Sequence, residues 1–143
     1  MYNIDTIFAR NKRISVRYFM KKEYSSFGKY VAEKRISKGI ALREMARLLG
    51  FSAPFWSDVE KGRANPPKYD KLLIVADILG LTAVEKTHMF DLAGNDRNTI
   101  APDIKEYILH NSHVTTVFRS AIDLGVSAND WDRFIKDLRQ RKV

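Results

Sequence analysis

The stretch LREMARLLGFSAPFWSDVEKG, residues 42–62, decides the fold of this chain. Its apolar residues recur at helical spacing on both sides of Gly50, which predicts two short helices joined by a tight turn. Ser52 is a suitable N-cap for the helix that follows Gly50, and Gly62 is placed to end that helix. The inward positions are Leu42, Met45, Ala46, Leu49, Trp56 and Val59. The outward positions of the helix that follows Gly50 are Ser52, Ala53, Pro54, Ser57 and Asp58.

Helical patterns bounded by glycine or proline continue on both sides of this stretch. They predict an all-α protein, with a five-helix domain over residues 25–94 and about three more helices over residues 95–143. The fifth helix is expected to run to about Ala93 and to be closed by Gly94-Asn95-Asp96. Residues 1–24 show no clear helical period, so we expect an arm, a short strand or an upstream extension. The expected helices cover about 26–38, 41–49, 53–61, 68–79, 82–93, 102–110, 112–124 and the residues after Ser127.

The composition is that of a soluble globular protein, with 45% hydrophobic and 29% charged residues in a chain of 143. No apolar run approaches the length of a bilayer span, and none follows the basic N-terminus as in a secretory signal. The chain has no cysteine, which excludes disulfides and thiolate metal sites. We therefore expect a cytoplasmic protein without a membrane partner.

The formal net charge of +8 is unevenly distributed. Residues 1–24 carry +4, residues 25–80 carry another +4, and residues 81–143 carry no net charge. A basic half joined to a neutral half favours a module that binds a polyanion and a second part with a separate role. The charge alone does not distinguish nucleic-acid binding from an ordinary basic protein.

Residues 27–80 resemble the Cro/phage-repressor type of helix–turn–helix domain, often called the XRE family. The resemblance implies a five-helix fold whose third helix is the recognition helix. It also implies a bacterial or phage transcriptional regulator, usually a repressor, that binds pseudo-palindromic double-stranded DNA as a homodimer. The motifs that carry it are Lys34-Arg35-Ile36, Gly39, Leu42-x-x-Met45-Ala46-x-x-Leu49-Gly50, Ser52, Ser57-Asp-Val-Glu60-Lys-Gly62, Pro66-Pro67 and Leu72–Leu79.

The resemblance assigns roles to individual residues. The positions that contact base edges in such domains are Ala53, Pro54, Ser57 and Asp58 here. The positions that hold phosphates are Lys61, Arg63 and Lys68. Ala41 and Leu42 replace the polar residues that often anchor phosphate at the start of the second helix, and Arg43 is the substitute. Arg35 and Glu60 match an ion pair that ties the first helix to the third.

The chemistry of the outward face limits what it can recognise. Ala53 and Pro54 donate no side-chain hydrogen bond and suit thymine methyl groups, whereas Ser57 bonds to more than one base. Asp58 can accept from cytosine N4. No Arg, Asn or Gln lies on this face, so specificity needs help from DNA shape or from other segments. The N-terminal candidates for minor-groove contacts are Arg10, Lys12 and Arg13.

The apolar stripes of the last two helices have two interpretations. They either complete the core of a single chain or present a surface to a second copy. We favour dimerisation, because pairing two half-sites multiplies the affinity for DNA. The alternative is an antitoxin or protein-interaction module whose C-terminal helices bind a protein partner. The candidate interface residues are Val117, Phe118, Ile122, Trp131, Phe134 and Leu138.

The two neighbouring aromatic residues have different expected positions. Trp56 is expected in the core, while Phe55 either covers the corner between the second and third helices or lies on the sugar–phosphate backbone.

Other features argue against catalysis and cofactors. Glu106, His110 and His113 approach metal-ligand spacing, but Asn111-Ser112 interrupts the helix between the histidines. No catalytic triad, carboxylate pair or glycine-rich phosphate loop is present. We expect no enzymatic activity, no cofactor and no metal.

Overall fold

The computed structural model describes residues 26–142. Within that range it contains helices, turns and loops but no strand, so the predicted all-α class is confirmed. The predicted N-terminal arm or strand in residues 1–24 lies outside the described residues. The helices are α1 (Phe27–Ser37), α2 (Leu42–Leu49), α3 (Ala53–Glu60), α4 (Tyr69–Leu79), α5 (Ala83–Asp96), α6 (Pro102–His110), α7 (Ser112–Asp123) and α8 (Ala128–Arg141).

The described chain separates into two compact units. The first comprises residues 26–105 and the second residues 106–142, so the division falls within α6. The assignment of DNA binding to residues 25–94 and of dimerisation to residues 95–143 stays a prediction. In the described residues, no helix has the length and apolar character needed to cross a membrane.

The core of the first unit is formed by the apolar faces of α1 to α5. Trp56 is its largest member and is fully buried, as expected from its inward position on α3. The buried residues of α4 follow helical spacing and come from one face of that helix. The buried side chains around Trp56 are Phe27, Tyr30, Val31, Met45, Ala46, Leu49, Val59, Leu72, Val75, Ala76, Leu79, Met89, Phe90, Leu92 and Ala93.

Side-chain caps fix where several helices begin. The Ser52 hydroxyl accepts a hydrogen bond from the Phe55 N–H at 3.3 Å, which satisfies one of the free donors of the first turn of α3. Thr82 and Glu85 form a reciprocal capping box at α5, and Ser127 and Asp130 form another at α8. These three starts were predicted from the sequence and are confirmed.

The fifth helix runs three residues beyond its predicted end near Ala93, through the residues expected to close it. Helix α5 continues to Asp96, and Gly94 is buried within it. A Cβ atom on Gly94 would lie only 2.8 Å from the Ala101 nitrogen, so the missing side chain lets the following loop pack directly on the helix. The extra turn also brings the Asp96 carboxylate to the start of α1, where it accepts a hydrogen bond from the Phe27 N–H at 3.0 Å.

Polar contacts join α5 to α1. The Lys34 ammonium pairs with the Glu85 carboxylate. This ion pair and the hydrogen bond from the Thr82 backbone together hold the pKa of Glu85 below its usual value. His88 is buried, with its ring edge-on to Tyr30 at a centroid distance of 5.0 Å. Burial lowers the pKa of His88, so the neutral imidazole is favoured in the folded protein.

Gly28 sets the distance between α1 and α3. A Cβ atom at this buried position would lie 2.3 Å from the Val59 carbonyl oxygen and 2.5 Å from the Glu60 carbonyl oxygen. Both neighbours are backbone atoms, which cannot move away as the end of a flexible side chain can. The two helices therefore touch backbone to backbone at this point, and only glycine fits.

Substitution Gly28→Ala should destabilise the first unit. The added methyl group forces α1 away from α3, and overpacking of this kind costs about 1–3 kcal/mol or more. Urea unfolding followed by circular dichroism measures the loss. Lys29→Ala, one residue along on the exposed side of α1, is the control and should leave the midpoint nearly unchanged. Equal stability of the Gly28→Ala and wild-type proteins would contradict the close packing of α1 on α3.

The second unit contains the hairpin of α7 and α8. Phe118 of α7 meets Trp131 of α8 edge-to-face at 6.1 Å, and Trp131 meets Phe134 in the same way at 6.2 Å. The apolar stripes of the two helices thus face each other. None of residues 106–142 is fully buried, however. An open groove of about 540 Å³ lies between the helices, lined by Phe118, Ala121, Ile122, Gly125, Val126 and Trp131.

Candidate nucleic-acid interface

The turn between α2 and α3 is a helix stop of the Schellman type. Gly50 adopts a left-handed backbone with φ +72°, which a residue without Cβ accepts at little cost. Its N–H donates to the Arg47 carbonyl at 3.1 Å, and the Phe51 N–H donates to the Ala46 carbonyl at 2.9 Å. These bonds satisfy the last carbonyls of α2 and direct the chain sharply into α3.

Lys71 of α4 fixes the same turn from the outside. Its ammonium donates to the Leu49 carbonyl at 2.7 Å and lies 5.5 Å from the centre of the Phe51 ring. A cation at a helix C-terminus is favourable because it meets the negative end of the helix dipole. The sequence alone does not predict this role, since no local pattern links Lys71 to Leu49, 22 residues earlier in the chain.

The C-terminal end of α3 is held by a hydrogen-bonded network. The Arg35 guanidinium binds Glu60 with both Nε and Nη2, at 2.6 and 2.9 Å, and donates from Nη1 to the Ile40 carbonyl at 2.7 Å. The Trp56 indole N–H donates to Glu60 Oε1 at 2.7 Å. The Arg35 and Glu60 side chains are only 11% and 7% exposed. The Glu60 carboxylate raises the pKa of Arg35, so the guanidinium stays charged.

Substitution Glu60→Ala should be strongly destabilising. It leaves the Arg35 guanidinium and the Trp56 N–H without their acceptor in a nearly buried site, which costs about 3–5 kcal/mol. Chemical unfolding monitored by Trp fluorescence measures the loss. The control is Glu44→Ala, which removes an ion pair with Arg47 on the exposed surface of α2 and should barely move the midpoint. A similar effect of both substitutions would contradict a structural role for Glu60.

The outward face of α3 differs from the predicted set. Pro54 is exposed, and the Asp58 side chain is 49% exposed, as expected of positions that contact a ligand. Ala53 and Ser57 are partly buried, as is Asp58 when its backbone is included. Phe55 is 41% exposed and stands beside Pro54, so it belongs to the surface although the sequence left its position open.

Asp58 is already engaged by a cation of the following loop. Its carboxylate lies 3.7 Å from the Arg63 guanidinium, and its backbone carbonyl accepts from the Arg63 N–H at 2.8 Å. Gly62 permits this tight return of the chain with φ +74°. The structure thus brings a predicted base-contacting residue and a predicted phosphate-contacting residue together. The pairing partly offsets the negative charge that Asp58 would present to DNA.

The remaining predicted phosphate-contacting residues are exposed. Arg43 lies in the first turn of α2, Lys61 is the C-terminal cap residue of α3, and Lys68 is the N-terminal cap residue of α4. None of the three forms an ion pair with another residue in the described range 26–142. Arg47, by contrast, is held by Glu44 at 2.6 Å. The ends of α2, α3 and α4 therefore carry cations that are available to an anionic ligand.

The histidines near the α6–α7 junction form no cluster of ligands. His110 Nδ1 lies 2.9 Å from the Glu106 carbonyl oxygen and 3.4 Å from its carboxylate. Helix α6 ends at His110 and α7 begins at Ser112, so the predicted interruption is confirmed. In the part of the chain that the structure describes, no three acidic, His or Cys side chains are grouped to hold a metal ion.

This geometry defines a helix–turn–helix domain: α2 and α3 joined by a left-handed glycine, with α3 fixed by α1 and α4. Residues 26–89 match the family described as a helix-turn-helix domain. The predicted resemblance is confirmed there. A chain of a solved SinR protein/SinI protein complex is 21% identical, with a TM-score of 0.40, over 81% of this chain and 97% of that chain. No curated protein matches.

Proposed function

We propose that this protein is a sequence-specific transcriptional regulator that inserts α3 into the major groove of double-stranded DNA as a homodimer. The proposal includes a repressor role in the bacterial cytoplasm, because a protein that occupies an operator blocks access to it. The observation that carries the proposal is that α3 has one face fixed to the rest of the unit and one face exposed. One face is locked to α1 and the core through Trp56 and Glu60, and the other holds Pro54 and Asp58 toward solvent.

The charges around α3 support DNA as the ligand. Arg43, Lys61 and Lys68 lie at helix ends on the elements that flank the turn, where they can bind phosphates while α3 enters the groove. Arg63 holds Asp58 and also offers a cation to the backbone. Such contacts supply affinity without sequence information, which leaves discrimination to the outward face of α3.

Removal of the phosphate-binding cations should weaken DNA binding and its dependence on salt. In Lys61→Ala and Arg63→Ala proteins, each lost phosphate contact should lower the magnitude of the slope of log affinity against log salt by about 0.9. Fluorescence anisotropy on a duplex enriched from a random pool measures both quantities. Lys105→Ala removes an exposed cation of α6 and serves as the control. An unchanged affinity and slope for both variants would contradict the phosphate assignment.

Exchange of the polar residues on α3 should alter sequence preference. The double variant Ser57→Asp, Asp58→Ser moves the carboxylate from the outward face to its edge, so the cytosine contact proposed for Asp58 is lost. Enrichment of sequences from a random double-stranded pool compares the two proteins. We expect a changed preference at one or two positions of each half-site. The same enriched sequence for both proteins would show that α3 does not contact the bases.

The second unit supports the homodimer. Below about 40 residues a chain rarely builds a sufficient core, and residues 106–142 contain no fully buried side chain. Five of the six candidate interface residues are at least 38% exposed, and the sixth, Trp131, lines the groove between the helices. An apolar surface of this kind marks an interaction site, and a second copy would cover it. The five are Val117, Phe118, Ile122, Phe134 and Leu138.

Substitution Ile122→Asp should dissociate the homodimer. It places a charge at the rim of the groove, where burial of an Ile side chain contributes about 1.5–3 kcal/mol per copy. The dimer dissociation constant should rise at least tenfold, with weaker binding to a two-half-site duplex. Sedimentation equilibrium measures the mass. Ser120→Asp, an exposed position on the opposite side of α7, is the control. A wild-type protein that is monomeric at every concentration tested would contradict the homodimer.

The second candidate function is that of an antitoxin or protein-interaction module. The open apolar groove of the second unit favours it to the same degree as it favours a second copy. In that case the isolated protein stays monomeric, and Ile122→Asp impairs capture of a protein partner rather than self-association. The mass of the wild-type protein in solution therefore separates the two functions of this unit.

A further inference from the structure

We infer that Phe55 is a specificity-determining residue that contacts the 5-methyl group of a thymine in the major groove. The inference rests on the proposed function, since it concerns the same face of α3. It starts from the exposed position of an aromatic ring on a helix whose other aromatic residue, Trp56, is fully buried. Exposure of 41% of Phe55 leaves a large apolar area in water, next to the proposed contact residues.

Helix geometry places Phe55 at one side of the outward surface, next to Asp58. Pro54 and Asp58 are four residues apart, and Phe55 and Asp58 are three apart, so the three side chains are neighbours on one side of α3. Ala53 and Ser57 are also four residues apart and are partly buried beside them. The exposed surface of α3 therefore includes the Phe55 ring, which makes it more apolar than the predicted set.

The Phe55 ring is held in place by its neighbours. It meets Phe51 edge-to-face, with ring centroids 5.0 Å apart and planes at 66°. Phe51 is in turn stacked on Trp56 at 6.3 Å with planes at 12°, and the Lys71 ammonium lies 5.5 Å from its centre. A ring supported in this way loses little side-chain entropy when it binds, which favours contact with a ligand.

The chemistry of the groove selects thymine. Among the groups that base pairs present in the major groove, the thymine methyl is the apolar one. Pro54 and Phe55 have no side-chain donor or acceptor, so they cannot distinguish the polar edges of the other bases. An aromatic ring that excludes water from a methyl group favours a T·A pair at that position over pairs that lack the methyl. Phe55 thus compensates for the absence of Arg, Asn and Gln on this face.

The test removes the methyl group from the DNA and the ring from the protein. The wild-type protein first enriches a duplex from a random double-stranded pool. Each thymine of that duplex is then replaced singly by uracil, and the affinities of wild type and Phe55→Ala are compared. We expect one replacement per half-site to weaken wild-type binding about fourfold, the effect of one buried methyl group. The Phe55→Ala protein should be insensitive to that same replacement.

Controls address folding and the position of the contact. Ile36→Ala removes an exposed apolar side chain from α1 and should retain the wild-type response to uracil. If Phe55→Ala is unfolded by circular dichroism, Phe55→Leu keeps an apolar contact with Phe51 and carries the comparison. Its shorter side chain should reduce the loss on uracil replacement below about twofold.

Three results would overturn the inference. The first is that wild type binds every uracil-substituted duplex as tightly as the original; weaker binding by Phe55→Ala would then place the ring on sugar and phosphate. The second is that the loss on uracil replacement persists unchanged in the Phe55 variants, which would assign the methyl contact to another residue. If the wild-type protein enriches no sequence from the pool, the proposed function itself fails. The first two results leave that function intact.

Discussion

The close contact between α1 and the last turn of α3 is the constraint on which the first unit depends. Gly28 removes the side chain that would separate the two backbones, and the Glu60 carboxylate binds Arg35 and Trp56 at the same place. Steric fit and hydrogen bonding thus act on one turn of helix. Because α3 is short, fixing this turn fixes the direction of the whole helix, including the exposed residues at its other end.

The two units meet the requirement for a hydrophobic core in different ways. The first surrounds Trp56 with side chains from five helices and needs no partner to bury them. In the second, Trp131 is only partly covered by Phe118 and Phe134, and Ile122 is largely exposed. On the proposed function, the stability of the second unit depends on protein concentration, whereas that of the first unit does not. Thermal unfolding of the whole chain would then not be a single two-state transition.

Local signals in the sequence predicted the helix boundaries, whereas tertiary contacts decided what the sequence left open. Gly50, Ser52 and Thr82 act on their own backbone within a few residues, so their roles follow from residue type and position. Gly94 is a residue type that often ends helices, but here it allows residues that follow it to pack closely on α5. Lys71 depends on Leu49, 22 residues earlier in the chain, and that pairing leaves no local pattern. Phe55 contacts Phe51 only four residues before it, but its exposure depends on how α3 packs in the first unit. The Arg35–Glu60 pair was placed by resemblance to a family, since residue spacing alone does not specify a contact between helices.

The contacts on the buried face of α3 affect how the sequence of this chain can evolve. Folding of the first unit depends on Trp56, Val59 and Glu60, while Pro54 and Asp58 make no contribution to the core. Substitutions at the outward positions therefore have little effect on the free energy of unfolding, apart from the ring contact of Phe55. On the proposed function, a duplicated copy of the gene could acquire specificity for a new operator through a few substitutions that leave the free energy of unfolding unchanged. The same separation makes the outward face a suitable site for library-based redesign of DNA specificity.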